Sequence, residues 1–339
     1  MDSVTQVVLG AAVGEVALGK KIGNKALLWG AIGGTIPDLD VIAQFEVGIV
    51  ESSKFHRSAT HSILFCIVMA PVLGALVSRL YPKASANWRE WSWLFFLALF
   101  THPLLDCFTT WGTQLFWPFT DYQVAFKTIF VIDPGYTLPM LVALIAILFI
   151  RRTSPLRKRV NVVGMVLSHL YLTVTLVNKW MVNEAFKQSY TAQGIQVERF
   201  ETKPTPINNV LWSGTLETED HYYIGFYSLL DSEIDIPYKR FAKNHELLSP
   251  YVEQDQRLQT LLGLSTGYYT VVKTDFGFII NDLRFGQAKG WNSDDGEFVF
   301  AYNYYPPEGD VPSRFEKRPP QMEDGKELLK QIFERAFRG

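Results

Sequence analysis

Two histidines five residues apart stand directly before an apolar run long enough to enter a membrane: His56 and His61, in Phe55-His56-Arg57-Ser58-Ala59-Thr60-His61-Ser62. Asp38 and Asp40, in Pro37-Asp38-Leu39-Asp40, sit at a similar edge of apolar sequence, as do His102 and Asp106 in Thr101-His102-Pro103-Leu104-Leu105-Asp106. Ionisable groups at membrane depth are costly unless they pair, coordinate or do chemistry. Mixed imidazole and carboxylate donors suit Zn2+, and also Mn2+ or Fe2+. The chemistry to expect is metal-assisted hydrolysis at a membrane face.

Each signal alone has a plainer explanation. His102 and Asp106 share a helical face one turn apart, which serves a shared ion, a carboxylate orienting an imidazole, or an ordinary helical hydrogen bond. Asp38 and Asp40 diverge on an extended loop, giving one ligand plus a cap or bridging carboxylate; alone, the dipeptide reads as a capped turn. His56 and His61 are too unevenly spaced for one helix face, so His56 belongs to the loop and His61 to the helix start. The three signals gain weight together, because the topology below brings them to one membrane face.

Four segments are expected to span a membrane: Ile63–Leu80, Trp91–Phe108, Val160–Asn178, and Thr137–Ile150 extended by Ile129–Tyr136. A spanning helix needs about 20 apolar residues. Val4–Leu18 and Ala26–Ile36 are shorter and rich in Gly and Ala, which reads as a close helical hairpin. Lys20, Lys21 and Lys25 fall in one loop, Arg79, Lys83 and Arg89 in another, and Arg151, Arg152, Arg157, Lys158 and Arg159 in a third. These loops alternate, so the positive-inside rule places them in the cytoplasm and all the candidate ligands on the opposite side.

After residue 180 the chain turns polar and aromatic. Tyr222–Leu230, Thr266–Lys273, Phe276–Asn281 and Phe298–Tyr305 read as strands, with turns at Asp275-Phe276-Gly277 and Asp294-Asp295-Gly296. Asp324–Phe337 has helical spacing, and Lys203-Pro204-Thr205-Pro206 reads as a linker. The expected architecture is an α-helical multipass membrane domain of about 5–6 helices over 1–180, followed by an extracytoplasmic α+β domain over 181–339. A mean hydropathy of +0.06 averages over these two unlike halves.

A net charge of −2 excludes nucleic acid as the expected partner. Cys66 and Cys107 lie beside apolar sequence and read as buried free thiols. The N-terminus carries no basic segment or small-residue cleavage site, so no removable signal peptide is expected. Glu15 is either a ligand or neutralised within the helical hairpin, and a structural or ligand-supporting role suits it better; His169 reads as an interhelical hydrogen-bonding residue. His221 and His245 have no metal-like neighbours.

With Gly33-Gly34-Thr35-Ile36-Pro37-Asp38-Leu39-Asp40, then the His56–Ser62 segment, then Thr101–Asp106 in that order, the chain resembles the YdjM family. These are membrane-bound, metal-dependent hydrolases, also described as LexA-binding and inner-membrane-associated. The resemblance covers about residues 1–180 and includes Trp111-Gly112-Thr113-Gln114-Leu115-Phe116-Trp117-Pro118. It implies metal ligands at Asp38, His56, His61, His102 and Asp106, and an inner-membrane location. Many members carry a histidine where this chain has Gln6, a departure that alters one metal position. A more distant likeness, to zinc-dependent phospholipases C and single-strand nucleases, suggests phosphoester hydrolysis by analogy alone.

The reading is a hydrolase whose divalent metal activates water against an ester or phosphoester near the lipid. Asp40 is the expected general base and Arg57 the expected phosphate clamp. Membrane lipids are expected neighbours, and the sequence identifies no protein partner. The rival is a non-enzymatic scaffold with a structural metal or a polar His/Asp cluster. A closed, fully protein-ligated site would favour the scaffold, and an open coordination position the hydrolase.

Overall fold

The structure is a computed structural model that describes residues 1–45, 48–291, 296–320 and 325–338. It divides into two compact units. The first comprises Met1–Ile42, Phe55–Leu176 and Pro206–Asn208, and is helical. The second comprises Ala43–Lys54, Val177–Thr205 and Asn209–Gly339 and contains both β-sheets.

In the first unit, α1 (Ser3–Ile22) and α2 (Asn24–Thr35) form a hairpin reversed at Gly23. Gly10 and Gly14 face Gly30 and Gly34 so closely that a Cβ on any of them would meet the opposite backbone. Such small-residue stripes let helices approach where lipid gives no hydrophobic drive. A 3-10 helix, Pro37–Phe45, then leads to α3 (Ile49–Phe55). The chain continues through a short turn into α4 (Ile63–Leu80) and α5 (Trp88–Asp106). The Ser62 hydroxyl accepts from the Phe65 amide and so starts α4, leaving His61 just outside it. Asn87 and Glu90 form a capping box that starts α5. Residues 107–133 are largely irregular, and lead to α6 (Pro134–Leu148) and the long α7 (Pro155–Ala192).

Among the described residues, α4 and α7 are long and apolar enough to cross a membrane, while α6 is apolar but has 15 residues. The expected span Val160–Asn178 is the central part of α7, which runs on into the second unit.

In the second unit, β1 (Arg199–Pro204), β2 (Leu211–Glu217), β3 (His221–Ser228) and β4 (Tyr238–Ala242) form one antiparallel sheet in sequence order. The second sheet is built the same way from β5 (Tyr269–Thr274), β6 (Gly277–Gln287), β7 (Phe298–Tyr305) and β8 (Arg314–Lys317). Two helices, α8 (Ser249–Val252) and α9 (Gln256–Leu264), separate the sheets in sequence, and α10 (Gly325–Arg338) follows them. Val182, Ala185 and Phe186 of α7 pack on Trp212 and Leu216 of β2. Val50 of α3 lies in the other core with Leu248, Leu258 and Tyr302, and Glu51 pairs with Arg257 at 3.0 Å.

Several expectations need correction. Lys203 and Pro204 end β1, paired with Ser213 and Trp212, so the linker reading fails there; proline is tolerated at the end of this edge strand. Residues 43–54, read with the membrane half, belong to the second unit. The Asp275–Phe276 turn joins β5 to β6 as expected, whereas Asp294 and Asp295 lie outside the described residues. Cys66 and Cys107 are buried free thiols.

Candidate metal centre

Three separate parts of the first unit deliver side chains to one point. The 3-10 helix brings Asp38, the turn before α4 brings His61, and the last turn of α5 brings His102 and Asp106. One donor atom from each of these four residues lies within 4.8 Å of all the others. The two Nε2 atoms are 3.2 Å apart. Asp38 Oδ1 stands 3.3 Å from His102 Nε2 and 3.5 Å from His61 Nε2. Asp106 Oδ2 stands 3.5 Å from His61 Nε2 and 3.7 Å from His102 Nε2. Zinc–ligand bonds near 2.1 Å would separate tetrahedral donors by about 3.4 Å. The donor set and its spacing therefore fit a small divalent cation.

The surroundings orient these donors. The Nδ1–H of His102 donates to the Gly34 carbonyl at 2.5 Å, which leaves Nε2 as the lone-pair face toward the cluster. The close α1–α2 packing is what holds that carbonyl in place. His61 Nδ1 lies 3.0 Å from the Thr60 hydroxyl and 3.5 Å from Asp40 Oδ2. Asp106 Oδ1 accepts from Gln6 Nε2 at 3.0 Å and is also paired with the Met1 amino group. Its Oδ2 faces the cluster, is buried, and has no hydrogen-bond partner. Its ionic partner there is Arg57, whose Nε lies 3.2 Å away, and a cation in the cluster would add the coordination that no hydrogen bond supplies.

His61, His102 and Asp106 are fully buried, whereas the Asp38 side chain is 23% exposed. The cluster therefore opens to the exterior on the Asp38 side. Burial pushes the Asp38 carboxyl up, but hydrogen bonds to His102 and His61 hold it well below the usual carboxylate range. Burial pushes His61 down, yet Asp106 and Asp38 outweigh it and raise its pKa. Protonation of His61 Nε2 and metal binding at that atom exclude each other.

The remaining expected residues stand one layer out. His56 is outside the four-residue set; its Nδ1 is 3.1 Å from Asp40 Oδ1 and its ring lies edge-on to Trp111. Asp40 also accepts from the Arg57 amide at 2.9 Å and the Thr60 hydroxyl at 3.3 Å. Arg57 is buried at φ +60, with Nε 3.2 Å from Asp106 Oδ2 and Nη1 donating to Thr109 Oγ1 at 2.7 Å. Gln6, whose register suggests that it faces Asp38, instead reaches Asp106 and the His102 carbonyl. Thr109 lies outside the quoted motifs, and Thr60 and Gly34 lie inside them with no role read for either, because each acts through position rather than residue type.

Glu15 lies elsewhere, clamped by Arg157 through two hydrogen bonds of 2.7 and 2.8 Å. His169 Nδ1–H donates to the Met165 carbonyl of its own helix, and His245 Nε2–H to the Tyr269 carbonyl. The interhelical role expected for His169 is not what this bond provides.

A helical region with apolar, membrane-length helices and a largely buried two-histidine, two-aspartate cluster that could hold a metal ion defines a class of membrane protein. The profile of the family described as YdjM inner membrane protein matches residues 1–182, more than half of the chain, and the chain belongs to that family. The chain is 31% identical over 141 residues to the uncharacterized protein YfhP of Bacillus subtilis (strain 168), covering 40% of this chain and 42% of that one. It is 36% identical over 110 residues to the inner membrane protein YbcI of Escherichia coli (strain K12), covering 31% and 61%. The matched region thus spans less than two thirds of either relative's length. No solved structure matches the chain.

Proposed function

We propose that this protein is a multipass inner-membrane hydrolase that uses a divalent metal, zinc in the first instance, against an ester or phosphoester of a lipid-proximal substrate. The observation that carries the reading is the convergence of Asp38, His61, His102 and Asp106, with Asp38 on the open side. A divalent ion held there supplies Lewis acidity and makes water nucleophilic near neutral pH. His61 and His102 would hold it through Nε2, and Asp106 through Oδ2, which accepts no hydrogen bond among the described residues. Asp40 and Arg57 act in this reading as positioning residues. Asp40 holds His61 and His56, and Arg57 neutralises Asp106 from behind. His56, partly exposed beside Trp111, is left at the mouth to exchange protons with substrate.

A lipid-proximal substrate fits the segments that carry the site. Leu39, Ile42, Phe55, Phe116 and Phe119 are exposed large apolar residues on or next to the loops that deliver the ligands. Exposed apolar patches of this kind mark membrane or ligand contact. The test is metal analysis of detergent-purified protein together with a panel of phosphoester and carboxyl-ester substrates. Turnover that disappears with chelation and returns with metal supports the reading; bound metal without turnover on any of them sinks the hydrolase.

A second reading is favoured by the four protein donors, since closed four-ligand sites are usually structural. In that case the protein is a membrane scaffold, and chelation lowers its unfolding temperature without any activity to lose. The sidedness proposal, with the centre and the C-terminal unit extracytoplasmic, rests on the alternating basic loops. Ser213, which reads from sequence as an exposed labelling position, is buried in β2 and cannot serve. Ser232 is exposed, and Ser232→Cys should label from outside in intact cells. Labelling only after the inner leaflet is breached contradicts the assignment.

A further inference from the structure

The far end of α1 holds a second feature that the hydrolase reading does not use. A cleft of about 360 Å3 opens between the α1–α2 reversal and the α6–α7 connection. Its apolar part is Ile22, Leu148 and Ile150, and its rim carries Lys25, Arg152 and Arg157. Arg157 is neutralised by Glu15, and Lys21 nearby by Glu90. Lys25 and Arg152 are exposed and have no carboxylate partner among the described residues. The Lys25 ammonium lies 4.4 Å from the centre of the Tyr81 ring, and one Arg152 N–H reaches the Lys21 carbonyl at 3.3 Å. Both heads are thereby held at the cleft with donors to spare. Gly23, at φ +62, provides no side-chain cap for α2, so the first amides of that helix also face this end.

The position of the cleft fixes what could fill it. Gln6, near the start of α1, touches Asp106, while Ile22, its last residue, lines the cleft. The helical rise from Gln6 to Ile22 is about 24 Å, most of the roughly 30 Å of a bilayer's hydrocarbon core. A metal centre at one membrane interface therefore puts the cleft at the other. We infer that the Lys25/Arg152 cleft binds the phosphate of an anionic phospholipid headgroup, with Ile22, Leu148 and Ile150 meeting the glycerol and upper acyl region. Basic pockets between membrane helices are suited to such headgroups.

The test uses full-length protein in mixed micelles of equimolar phosphatidylcholine and phosphatidylglycerol, with retained lipid read by native mass spectrometry. The wild type should retain phosphatidylglycerol preferentially. Lys25→Gln with Arg152→Gln should reduce that preference by about fivefold or more, leaving metal content unchanged. Lys158→Gln with Arg159→Gln removes the same charge from exposed positions outside the cleft, and should change it by less than about twofold. If the first pair fails to fold, Lys25→Gln alone should still lower retention by about two- to threefold. Equal losses in the two pairs, or no preference in the wild type, would overturn the proposal. Displacement of the lipid by inorganic phosphate alone would reassign the cleft to a soluble anion and overturn it as well.

Discussion

Two ionic centres lie at different levels of α1, one beside Gln6 and one at Glu15, and they are built on opposite principles. Glu15 and Arg157 match each other: both carboxylate oxygens accept from the guanidinium, whose other N–H groups reach Asn24 and the Ile147 and Ile150 carbonyls. Beside Gln6 two imidazoles and two carboxylates face inward, and Asp106 Oδ2 and Gln6 Oε1 remain without hydrogen-bond partners. A matched pair only holds helices together. In the His/Asp cluster Arg57 and the Met1 amino group offset Asp106, yet four donor atoms still converge on one point, and that convergence tells the two centres apart.

The largest test of this contrast is His102→Ala. Metal retention should fall by more than about a hundredfold, because outer-layer partners alone are worth ten- to a hundredfold. Insertion should persist, since the change makes α5 more apolar. Full metal content in this variant would remove the site. Glu15→Ala should do the reverse. It leaves the Arg157 charge unpaired and should cost about 3–5 kcal/mol of stability, while the folded fraction keeps its metal. Thermal unfolding and metal analysis on one preparation separate the two effects; metal lost in proportion to His102→Ala would dissolve the distinction. Asp40→Asn is smaller, with about a tenfold weaker metal affinity by competition with a chelator, because the Asp40 contact behind His61 Nδ1 is weakened. Smallest is Gln6→His, expected to tighten metal binding a few-fold by adding an imidazole beside Asp106. Unchanged affinity there would show that residue 6 only holds the carboxylate.

Much of this centre is readable from the chain because each donor type is rare beside apolar sequence. Asp38, His61, His102 and Asp106 stand out for that reason, and the alternation of basic loops already groups them. What could not be read is depth. His56 and Arg57 carry the right chemistry, but the turn before α4 sends His56 outward to Trp111 and buries Arg57 behind Asp106. Strand β2 is illegible for a different reason: Leu211, Trp212, Ser213, Gly214, Thr215 and Leu216 show no apolar–polar alternation, and every residue of the strand is buried.

The excursion of residues 43–54 gives the chain an interleaved topology. The polypeptide leaves the helical unit just after Asp38 and Asp40, contributes Val50 and Glu51 to the second unit, and returns immediately before His56 and His61. Both ligand-bearing loops are therefore covalent leashes fastened at their far ends to the other folding unit. Cutting the chain after residue 180 would not release an independent membrane half, since it would strip Val50 of Leu248, Leu258 and Tyr302. The segments that carry Asp38 and His61 are thus the sequence neighbours, on either side, of a stretch that the second unit keeps.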